Sequence, residues 1–480
     1  MDYKIRTVTT RSKKSAVQVY KIVNRKRQIL KHVGSGKTIK EISALKQQAE
    51  NWINLNNPQK NLFKDETDVY FKSYKYLGFT YKYAYEFLEQ TFQKFNFHLH
   101  TNTLIKDLII AHILEPSSKR QNLLNLEQYF GIKHNLSLLY RHLSKFDEKL
   151  KVAIEQEVVE IAKEHFNFDF SFVLYDVTTL YFESFKNDEF RVPGFSKDNK
   201  HNQPQVVIGL MVTKDGFPVH YEIFKGNTFE GKTFLPSILK FKEQYDITSI
   251  TVVADSAMLS VQNLDELIKH NINYIIAARL GNLNQQLTAQ IDQQLERKDL
   301  NTIRIDDLIV EYRYARYKKD LKEMEKQLEK AKKYDGVKTT KITKLKFLQN
   351  TTTTYSLNHK LLERTKILLG LKGYITNLNL SDKDIVDYYH NLFKIEAAFR
   401  IAKSDLEIRP IYHYKENTIK NHVLICFMCL AMSVYLELKN QKSIKVIVKA
   451  LKAVTDGIIL NTKTGQILQD RSEIKTPLLH

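Results

Sequence analysis

The chain has 480 residues, of which 43% are hydrophobic and 27% charged, a balance typical of a globular protein rather than a disordered one. Lysine and arginine number 74 against 54 acidic residues, and the net charge of +20 indicates a polyanionic partner such as nucleic acid. We expect no membrane partner, because no apolar run approaches the roughly 20 residues of a spanning helix and the N-terminal residues lack the apolar stretch of a signal peptide.

Residues 1–62 predict a small basic β-ribbon followed by a helix. The segments RTVTT, AVQVYKIV and QILKHVG alternate apolar and polar residues, as strands do, around basic turns. An amphipathic helical pattern through Ile42 and Trp52 follows them. Two interpretations remain open for this region: a DNA-binding module, or a solvated basic arm, since runs of lysine usually face water.

Residues 63–165 have a helical pattern, and we expect a helical DNA-binding region there. The stretch EQYFGIKHNLSLLYRHLSKF contains one helix, a break at a glycine and a second helix bearing Tyr140, Arg141, His142 and Lys145. This spacing is compatible with a helix-turn-helix whose second helix enters a DNA groove, with Arg141 and Lys145 as DNA contacts. Helical bundles show the same pattern by chance, so a purely structural role stays open.

Residues 166–279 predict the first part of an α/β catalytic core. They contain a strand around Asp176 (FSFVLYDVTTLYF), a strand pair joined by a KDG turn, a helix, a strand ending at Asp255 (SITVVADS), another helix and a last strand (NYIIAAR). Three antiparallel strands followed by strands separated by helices predict a mixed five-stranded sheet with helices, of the ribonuclease H type.

The C-terminal half is expected to complete this core around an insertion. Residues 280–375 hold strand-like segments and a charged helix (KKDLKEMEKQLEKAKK), which predict an insertion domain. Residues 376–440 predict the second part of the core, with the helix that carries Glu396. Residues 441–480 are expected to form a polar, loosely held C-terminal tail.

The two cysteines, Cys426 and Cys429, form a CxxC pattern inside the apolar run HVLICFMCLAMSVYL. No second CxxC or histidine pair accompanies them, so we interpret them as core residues rather than as a redox or zinc site. A disulfide framework is excluded, which fits a cytosolic protein.

Three acidic residues stand where metal-dependent phosphoryl transfer needs them. Asp176 and Asp255 lie at the ends of apolar, β-branched runs, and Glu396 lies on an amphipathic helix. Carboxylates at strand ends, joined by one from a later helix, suit the binding of two Mg²⁺ ions. Three close carboxylates repel one another without a cation, so we expect Mg²⁺, or Mn²⁺ in its place. The nearby acids Glu183 and Asp215 are interpreted as a loop and a turn residue.

Together these residues resemble the DDE transposases of bacterial insertion sequences. The segments YDVTTLYFES, FKGNTFEGKTFLP, VVADSAML and HILEPSSK carry the resemblance, which spans roughly residues 105 to 430. One large group of this family has a third motif that reads Tyr, two residues, Arg, three residues, Glu, six residues, Lys. Tyr389, Glu396 and Lys403 stand at those offsets, whereas Leu392 occupies the arginine position.

The resemblance implies roles for these residues. Asp176 would bridge both metal ions, while Asp255 and Glu396 would each ligate one of them. Tyr389 and Lys403 would grip the phosphate backbone of the cleaved DNA end. Arg400, one helical turn beyond Glu396, is the candidate to replace the missing arginine as a phosphate contact. Residues three, four or seven apart share a helical face, so Tyr389, Glu396, Arg400 and Lys403 are expected to project together.

The resemblance also implies the partners and the location. DNA, as terminal inverted repeats and as target, would be the substrate, and a homodimer would hold two ends in a synaptic complex. No nucleotide cofactor is expected, because each transfer exchanges one phosphodiester for another and the sequence has no complete phosphate loop. The expected location is the bacterial cytoplasm, in association with the nucleoid.

Base extrusion and the alternative functions remain open. Some relatives stack an extruded base on a tryptophan of the insertion, but the only tryptophan here is Trp52, so Tyr312, Tyr314 or Tyr317 would provide the stacking surface. One alternative function is a ribonuclease H-like nuclease that hydrolyses DNA without strand transfer. Another is a catalytically silent DNA-binding protein derived from a transposase, which Leu392 motivates. An acid-pair glycosidase would leave the positive charge unexplained.

Overall fold

The computed structural model describes residues 3–10, 14–23, 26–56, 73–184, 186–195, 202–258, 261–338, 345–350 and 354–472. Within these residues the chain divides into two compact units. The first unit comprises Met1–Thr80 and Thr455–Ser472, and the second extends from Tyr81 to Val454.

The described strands are, in chain order, β1 (Lys4–Thr9), β2 (Ser15–Val23), β3 (Lys26–Gly36), β4 (Tyr74–Thr80), β5 (Phe172–Tyr181), β6 (Gln205–Val212), β7 (Pro218–Lys225), β8 (Ile250–Ala254), β9 (Ile272–Ala278), β10 (Thr302–Ile305), β11 (Leu308–Tyr312), β12 (Leu348–Asn350), β13 (Tyr355–Leu357), β14 (Leu371–Thr376), β15 (Asp456–Asn461) and β16 (Ile467–Arg471). The described α-helices are α1 (Ile39–Asn56), α2 (Lys82–Lys94), α3 (Thr103–Leu114), α4 (Lys119–Phe130), α5 (Leu136–Leu143), α6 (Glu148–Phe166), α7 (Gly231–Gln244), α8 (Val261–Lys269), α9 (Gln285–Gln294), α10 (Tyr314–Lys332), α11 (His359–Ile367), α12 (Asp382–His390), α13 (Phe393–Arg400), α14 (Glu416–Asn440) and α15 (Ile444–Lys452).

The first unit contains the basic β-ribbon and helix that the sequence predicts. Strands β1, β2 and β3 form an antiparallel sheet in that order. Alternate residues of β2, Val17 and Val19, are buried against Ala49 and Ile53 of α1, because successive side chains of a strand point to opposite faces. The helix is described to Asn56, and the end of the predicted region lies outside the described residues.

The first unit also contains strands where the sequence predicted a helical region and a loose tail. Strands β4, β15 and β16 form an antiparallel sheet in the order β16-β15-β4, and Ile458 pairs with Gly78. The alternation in DGIILN and ILQDR is short, and β15, which pairs locally with β16, is also stabilised by hydrogen bonds to β4, far away in the chain. A local pattern does not show such partners, which is why this sheet was missed.

The second unit is built on one mixed sheet that, over the described residues, has eight strands in the order β10-β11-β14-β9-β8-β5-β6-β7. Strand β5 is parallel to β8, which is parallel to β9, and the remaining neighbours are antiparallel. Strands β5 to β9 correspond to the five segments predicted as strands, but the sheet has eight strands over the described residues rather than the predicted five. The sheet continues beyond them because β14 pairs with β9, so that strands from the expected insertion join the core sheet.

The turn between β6 and β7 follows the KDG signal. Gly216 has φ +89°, a conformation that glycine adopts without strain. The Asp215 backbone N–H donates to Thr213 Oγ1 at 3.2 Å, as expected of a turn residue. The Lys394 ammonium donates a hydrogen bond to the Lys214 carbonyl oxygen at 2.7 Å, so this turn is held against α13.

Helix α14 is the apolar centre of the second unit. It is the one helix of the described residues that is long and apolar enough to cross a membrane, which corrects the expectation that no such run occurs. Of its apolar window, 94% is buried inside the protein, as in the core helix of a globular fold. Cys426 and Cys429 are buried there as free thiols, in agreement with the predicted core role, and burial raises the pKa of both.

A buried charge cluster joins α6 to the edge strand β7. Glu155 is fully buried, and its Oε1 lies 3.1 Å from Lys151 Nζ and 3.1 Å from His220 Nδ1. The Tyr221 backbone N–H donates to the same oxygen at 3.2 Å. Burial by itself would raise the pKa of this carboxyl, but the charges of His220 and Lys151 and the hydrogen bonds outweigh it and lower the pKa to about 2. The ionised carboxylate is therefore part of the native packing.

Candidate active site

The strand register places Asp176 and Asp255 side by side. Tyr175 of β5 pairs with Ala254 of β8 in parallel register, and each acid is the next residue in the chain. Neighbouring strands lie about 4.8 Å apart, so the two carboxylates start from adjacent backbone positions. Asp176 is half-buried and Asp255 is exposed.

Successive side chains of β5 point to opposite faces of the sheet, which explains why Asp176 can face helix α13. Tyr175 is fully buried on the α7 side of the sheet, where its hydroxyl donates to Thr233 Oγ1 at 2.8 Å. Asp176, one residue on, therefore points to the other face. Helix α13, which carries Glu396, packs against β5.

The hydroxyl of Tyr389 lies against Asp255. This side chain is 5% exposed, and its hydroxyl donates to Asp255 Oδ1 at 3.4 Å. Burial raises the pKa of Tyr389, and the negative charges of Asp255, Asp176 and Glu396 raise it further. The direct contact of this hydroxyl is with Asp255, and the placement of all three acids in one site stays a prediction.

The oxygen donors of Asp176, Asp255 and Glu396 fit Mg²⁺ or Mn²⁺, which prefer carboxylate ligands. Among the described residues, however, no group of three or more histidine, cysteine, aspartate or glutamate side chains lies close enough to hold a metal ion as it stands. The donor chemistry therefore suits a divalent cation, and the side chains must draw together to hold one.

The acidic helix of the sequence analysis is interrupted in the structure. The sequence predicted one helical face with Tyr389, Glu396, Arg400 and Lys403, but α12 ends at His390 and α13 begins at Phe393. The intervening turn has i to i−3 hydrogen bonds, such as Leu392 N–H to the Tyr389 carbonyl at 3.0 Å. A π-helix, Ile401–Asp405, then shifts the register at Lys403. The four side chains therefore do not share a single straight helical face.

The positions of Leu392 and Arg400 bear on the missing arginine. Leu392 is 8% exposed and belongs to the apolar core, so an arginine in this orientation would bury its guanidinium group. Arg400 is exposed. Burial raises the pKa of Glu437 in α14, and the charge of Arg400 opposes that rise. The role of Arg400 as a phosphate contact stays a prediction.

A buried network that the sequence analysis missed supports Tyr389. Its ring lies 4.9 Å from that of Tyr374, whose hydroxyl donates to Glu311 Oε2 at 2.9 Å. Arg313 donates to Glu311 Oε1 at 2.9 Å, and its Nη2 lies 2.7 Å from His390 Nε2. The network joins α12 to β11 and β14, which fixes the ring of Tyr389. The sequence signal was weak, because these residues are separated along the chain.

A polar cavity of about 460 Å³ begins at Asp255 and extends toward α10. Arg279, Arg316 and Lys372 supply cationic groups to its lining. The Lys372 ammonium lies 4.3 Å from the ring centroid of Tyr389, a cation–π contact. Burial and then the charge of Arg316 lower the pKa of Lys372, whereas the charge of Asp255 opposes that change. The polar residue Lys372 within the strand LKGYIT was the available sequence signal.

The remaining predicted DNA contacts lie away from the acids or are covered. Tyr312 is 5% exposed, so its ring offers little stacking surface, whereas Tyr314 is 50% exposed and stacks on Tyr317 at 6.3 Å. Arg141 is exposed on α5, and Lys145 is exposed just after that helix ends. Helices α4 and α5 are separated by a break at Gly131, as the predicted helix-turn-helix pattern requires.

Comparison with known protein families decides the relationship of this chain. The sequence model of the family described as Transposase DDE domain matches residues 167–432, which is more than half of the chain. The chain belongs to this family. The part that matches the DDE transposase family contains β5 to β14 and all three acids. The mixed α/β sheet agrees with the ribonuclease H-like fold expected of a DDE transposase.

The other comparisons add similarity without detail. Comparison with curated protein sequences gives no match. Similar solved structures include a piggyBac transposase synaptic complex with hairpin DNA, at 8% identity and a TM-score of 0.40, covering 73% of this chain and 70% of that chain. A Mos1 transposase paired-end complex with left transposon end has 13% identity and a TM-score of 0.17, covering 36% of this chain and 54% of that chain. Marinitoga piezophila Argonaute in complex with 5′ OH guide RNA has 8% identity and a TM-score of 0.22, covering 82% and 67%. At such scores none of these likenesses supports a finer assignment.

Proposed function

We propose that this chain is the transposase of a bacterial insertion sequence, which cleaves the ends of its own element and joins the 3′-hydroxyls to target DNA. The supporting observation is the adjacent register of Asp176 and Asp255 on the parallel strands β5 and β8, with the helix of Glu396 packed against β5, inside a domain of the DDE transposase family. The proposal includes membership of the group with the Tyr-Arg-Glu-Lys signature, because Tyr389, Glu396 and Lys403 have its spacing.

In this proposal the three carboxylates are the catalytic residues and the ligands of two Mg²⁺ ions, for which Mn²⁺ substitutes. Such ions, when bound, stabilise charge on the attacking and leaving oxygens of an in-line displacement. The chain's own groups orient the site. Tyr389 donates a hydrogen bond to Asp255 and thereby limits the rotation of that carboxylate. Lys372 lies against the ring of Tyr389, where its charge can attract a DNA phosphate.

The cationic cavity beside Asp255 suits the backbone of the DNA end. Arg279 and Arg316 are exposed there, and guanidinium groups bind phosphate oxygens with two parallel hydrogen bonds. Terminal inverted repeats would also contact Arg141 and Lys145, together with the basic ribbon of the first unit. Joining two ends to one target requires both ends together, so the active assembly in this proposal is a homodimer.

A strand-transfer assay tests this function. With labelled element ends, Mg²⁺ and a supercoiled target plasmid, we expect nicks at the 3′ ends and labelled DNA joined to the plasmid. Neither product should form in EDTA, and DNA binding should weaken steeply with salt as counterions are released. Cleavage without joining would instead identify a nuclease, and binding without cleavage would identify a silent DNA-binding protein.

Replacing Tyr389 with phenylalanine is expected to slow cleavage by about 10-fold, since a hydrogen bond to a charged group contributes roughly 1.5 kcal/mol or more. The fold should persist, because phenylalanine keeps the ring contact with Tyr374. Initial rates of end nicking measure the effect. Tyr388→Phe is the matched control, because that ring packs on Phe172 at 4.8 Å. Equal losses in both variants would argue against a specific role for the Tyr389 hydroxyl.

A further inference from the structure

A second cavity, of about 530 Å³, opens at the N-terminus of α4, and none of the three acids lines it. Its lining comes from the first turn of α4, from α5, from the segment that leads into α14 and from α14 itself. The basic residues and histidines of the lining are Lys119, Arg120, Arg409, His413 and His422. The basic residues in this lining have no role in the proposed chemistry. The cavity contains the end of the HILEPSSK segment, whose function the three acids leave unexplained.

Lys119 is in an unfavourable position unless an anion accompanies it. It is the first residue of α4 and is 4% exposed, and its Nζ has no hydrogen-bond partner in the described part of the chain. A buried ammonium without a counter-charge is strongly destabilising. The N-terminus of a helix carries a partial positive charge as well, so the lysine is also at the wrong end of the helix dipole.

The other groups of the lining do not neutralise this charge. Burial lowers the pKa of His413 to about 4, and the charge of Lys119 adds to the effect. Burial and the Lys119 charge also lower the pKa of His422, whose Nε2 lies 3.0 Å from the Ile408 carbonyl oxygen. Both imidazoles are therefore neutral at pH 7. Glu407, an acid of the lining, is exposed at its edge.

Backbone N–H groups at the N-terminus of α4 are further hydrogen-bond donors beside the Lys119 ammonium. Ser118 Oγ accepts from the Gln121 N–H at 3.2 Å, and the Ser118 carbonyl accepts from the Asn122 N–H at 2.8 Å. Among the described residues, the N–H groups of Lys119 and Arg120 have no such acceptor. Free N–H groups at a helix N-terminus, next to an ammonium group, match the oxygens of a tetrahedral phosphate.

We propose that this cavity is a phosphate-binding site, formed by the Lys119 ammonium and the N-terminal N–H groups of α4. The bound group is either a phosphodiester of DNA or free inorganic phosphate. Only the DNA source rests on the proposed function. The Ile411 N–H, which follows the lining segment, donates to the Tyr181 carbonyl at 3.1 Å. Tyr181 lies five residues beyond Asp176 on β5, so the strand places the two residues roughly 17 Å apart. One strand of a DNA duplex covers this length along the helix axis in about five nucleotides.

Thermal unfolding of the full chain tests the site without any activity. Inorganic phosphate should raise the Tm of the wild type by roughly 2 °C more than sodium chloride of equal ionic strength. Lys119→Met should lose this difference, and in chloride it should be at least as stable as the wild type because a buried unpaired charge is gone. Lys82→Met is the matched control: Lys82 is the first residue of α2 but is exposed. It should keep the phosphate response.

A labelled duplex titrated at several salt concentrations separates the two sources. If DNA occupies the site, the slope of log affinity against log salt should fall by about 1 in Lys119→Met and stay unchanged in Lys82→Met. An unchanged slope together with a lost phosphate response would identify free phosphate as the ligand. A wild type that phosphate stabilises no more than chloride would overturn the site, whatever the variants do. That result would leave cleavage by the three acids untouched, so the two proposals fail independently.

Discussion

Asp176→Asn is expected to reduce DNA cleavage and strand transfer by roughly 1,000-fold or more, since a central carboxylate of the site would lose its negative charge. The fold should be unaffected. Asparagine has the same shape, and its Oδ1 can still accept from the Val177 N–H, which now donates to Asp176 Oδ1 at 2.7 Å. Nicking of labelled ends in Mg²⁺ measures the loss, and a DNA mobility shift should show that binding persists.

Substitutions of the other two acids, compared with a substitution of an acid outside the site, test whether the loss is specific to the site. Asp255→Asn and Glu396→Gln should lose cleavage to a similar degree, because in the proposed mechanism each carboxylate holds a metal ion of the same site. Glu183→Gln should retain full activity: Glu183 is an exposed acid just beyond the end of β5. Substantial cleavage by any of the first three variants would show that the site is wrongly assigned. A comparable loss in the control would point to a general effect of charge.

Glu155→Gln is expected to lower the free energy of unfolding by about 2–3 kcal/mol, because buried Lys151 and His220 lose the carboxylate of Glu155 and keep that of Glu222. Lys151 is 3% exposed and His220 is fully buried, so water cannot replace the lost carboxylate. Urea denaturation followed by circular dichroism measures the change. Glu160→Gln, on the same helix, removes a pair in which the Glu160 side chain is 65% exposed, and should cost less than about 1 kcal/mol. Equal effects of the two substitutions would contradict the role of the buried cluster.

The same carboxyl gives a defined response to acid. Folding lowers the pKa of Glu155 to about 2, below the value of about 4.3 for an unfolded glutamate. A group whose pKa falls on folding stabilises the native state fully above the unfolded pKa, and this contribution is lost as the pH falls toward the folded pKa. The wild type should therefore lose stability relative to Glu155→Gln between about pH 4.5 and 2. A constant difference across that window would exclude this linkage.

The sequence was sufficient for the central strands and for two of the acids. Strands β5 and β8 are apolar, β-branched segments; Asp255 directly follows β8 as predicted, whereas Asp176 lies in the middle of β5 rather than at its end, because the pairing of β5 with β6 continues to Tyr181. The ribonuclease H-like arrangement of the DDE transposase domain could be predicted because local signals agree with the global fold.

What was missed depends on contacts between distant parts of the chain. The break between α12 and α13 occurs where Leu392 packs into the core, and the amphipathic pattern continues through it. Pairing of β14 with β9, and of β4 with β15, joins segments that no short window contains. The place of Lys372 beside Tyr389 follows from that pairing, so neither the residue nor the cavity that it lines could be predicted locally.

The pairing of β11 with β14 shows how the segment between these two strands can be large without disturbing the sheet that carries the acids. Tyr312 and Leu371 are paired neighbours, and the Arg313 N–H donates to the Gly370 carbonyl at 2.9 Å, so the chain leaves and re-enters the sheet at the same place. Gly370, with φ +77°, lies where a Cβ atom would meet Tyr317. The intervening residues 313–370 are in effect an enlarged hairpin loop. This segment can therefore become longer or shorter in evolution without changing the distances in space between the three acids, although the number of residues between Asp255 and Glu396 changes.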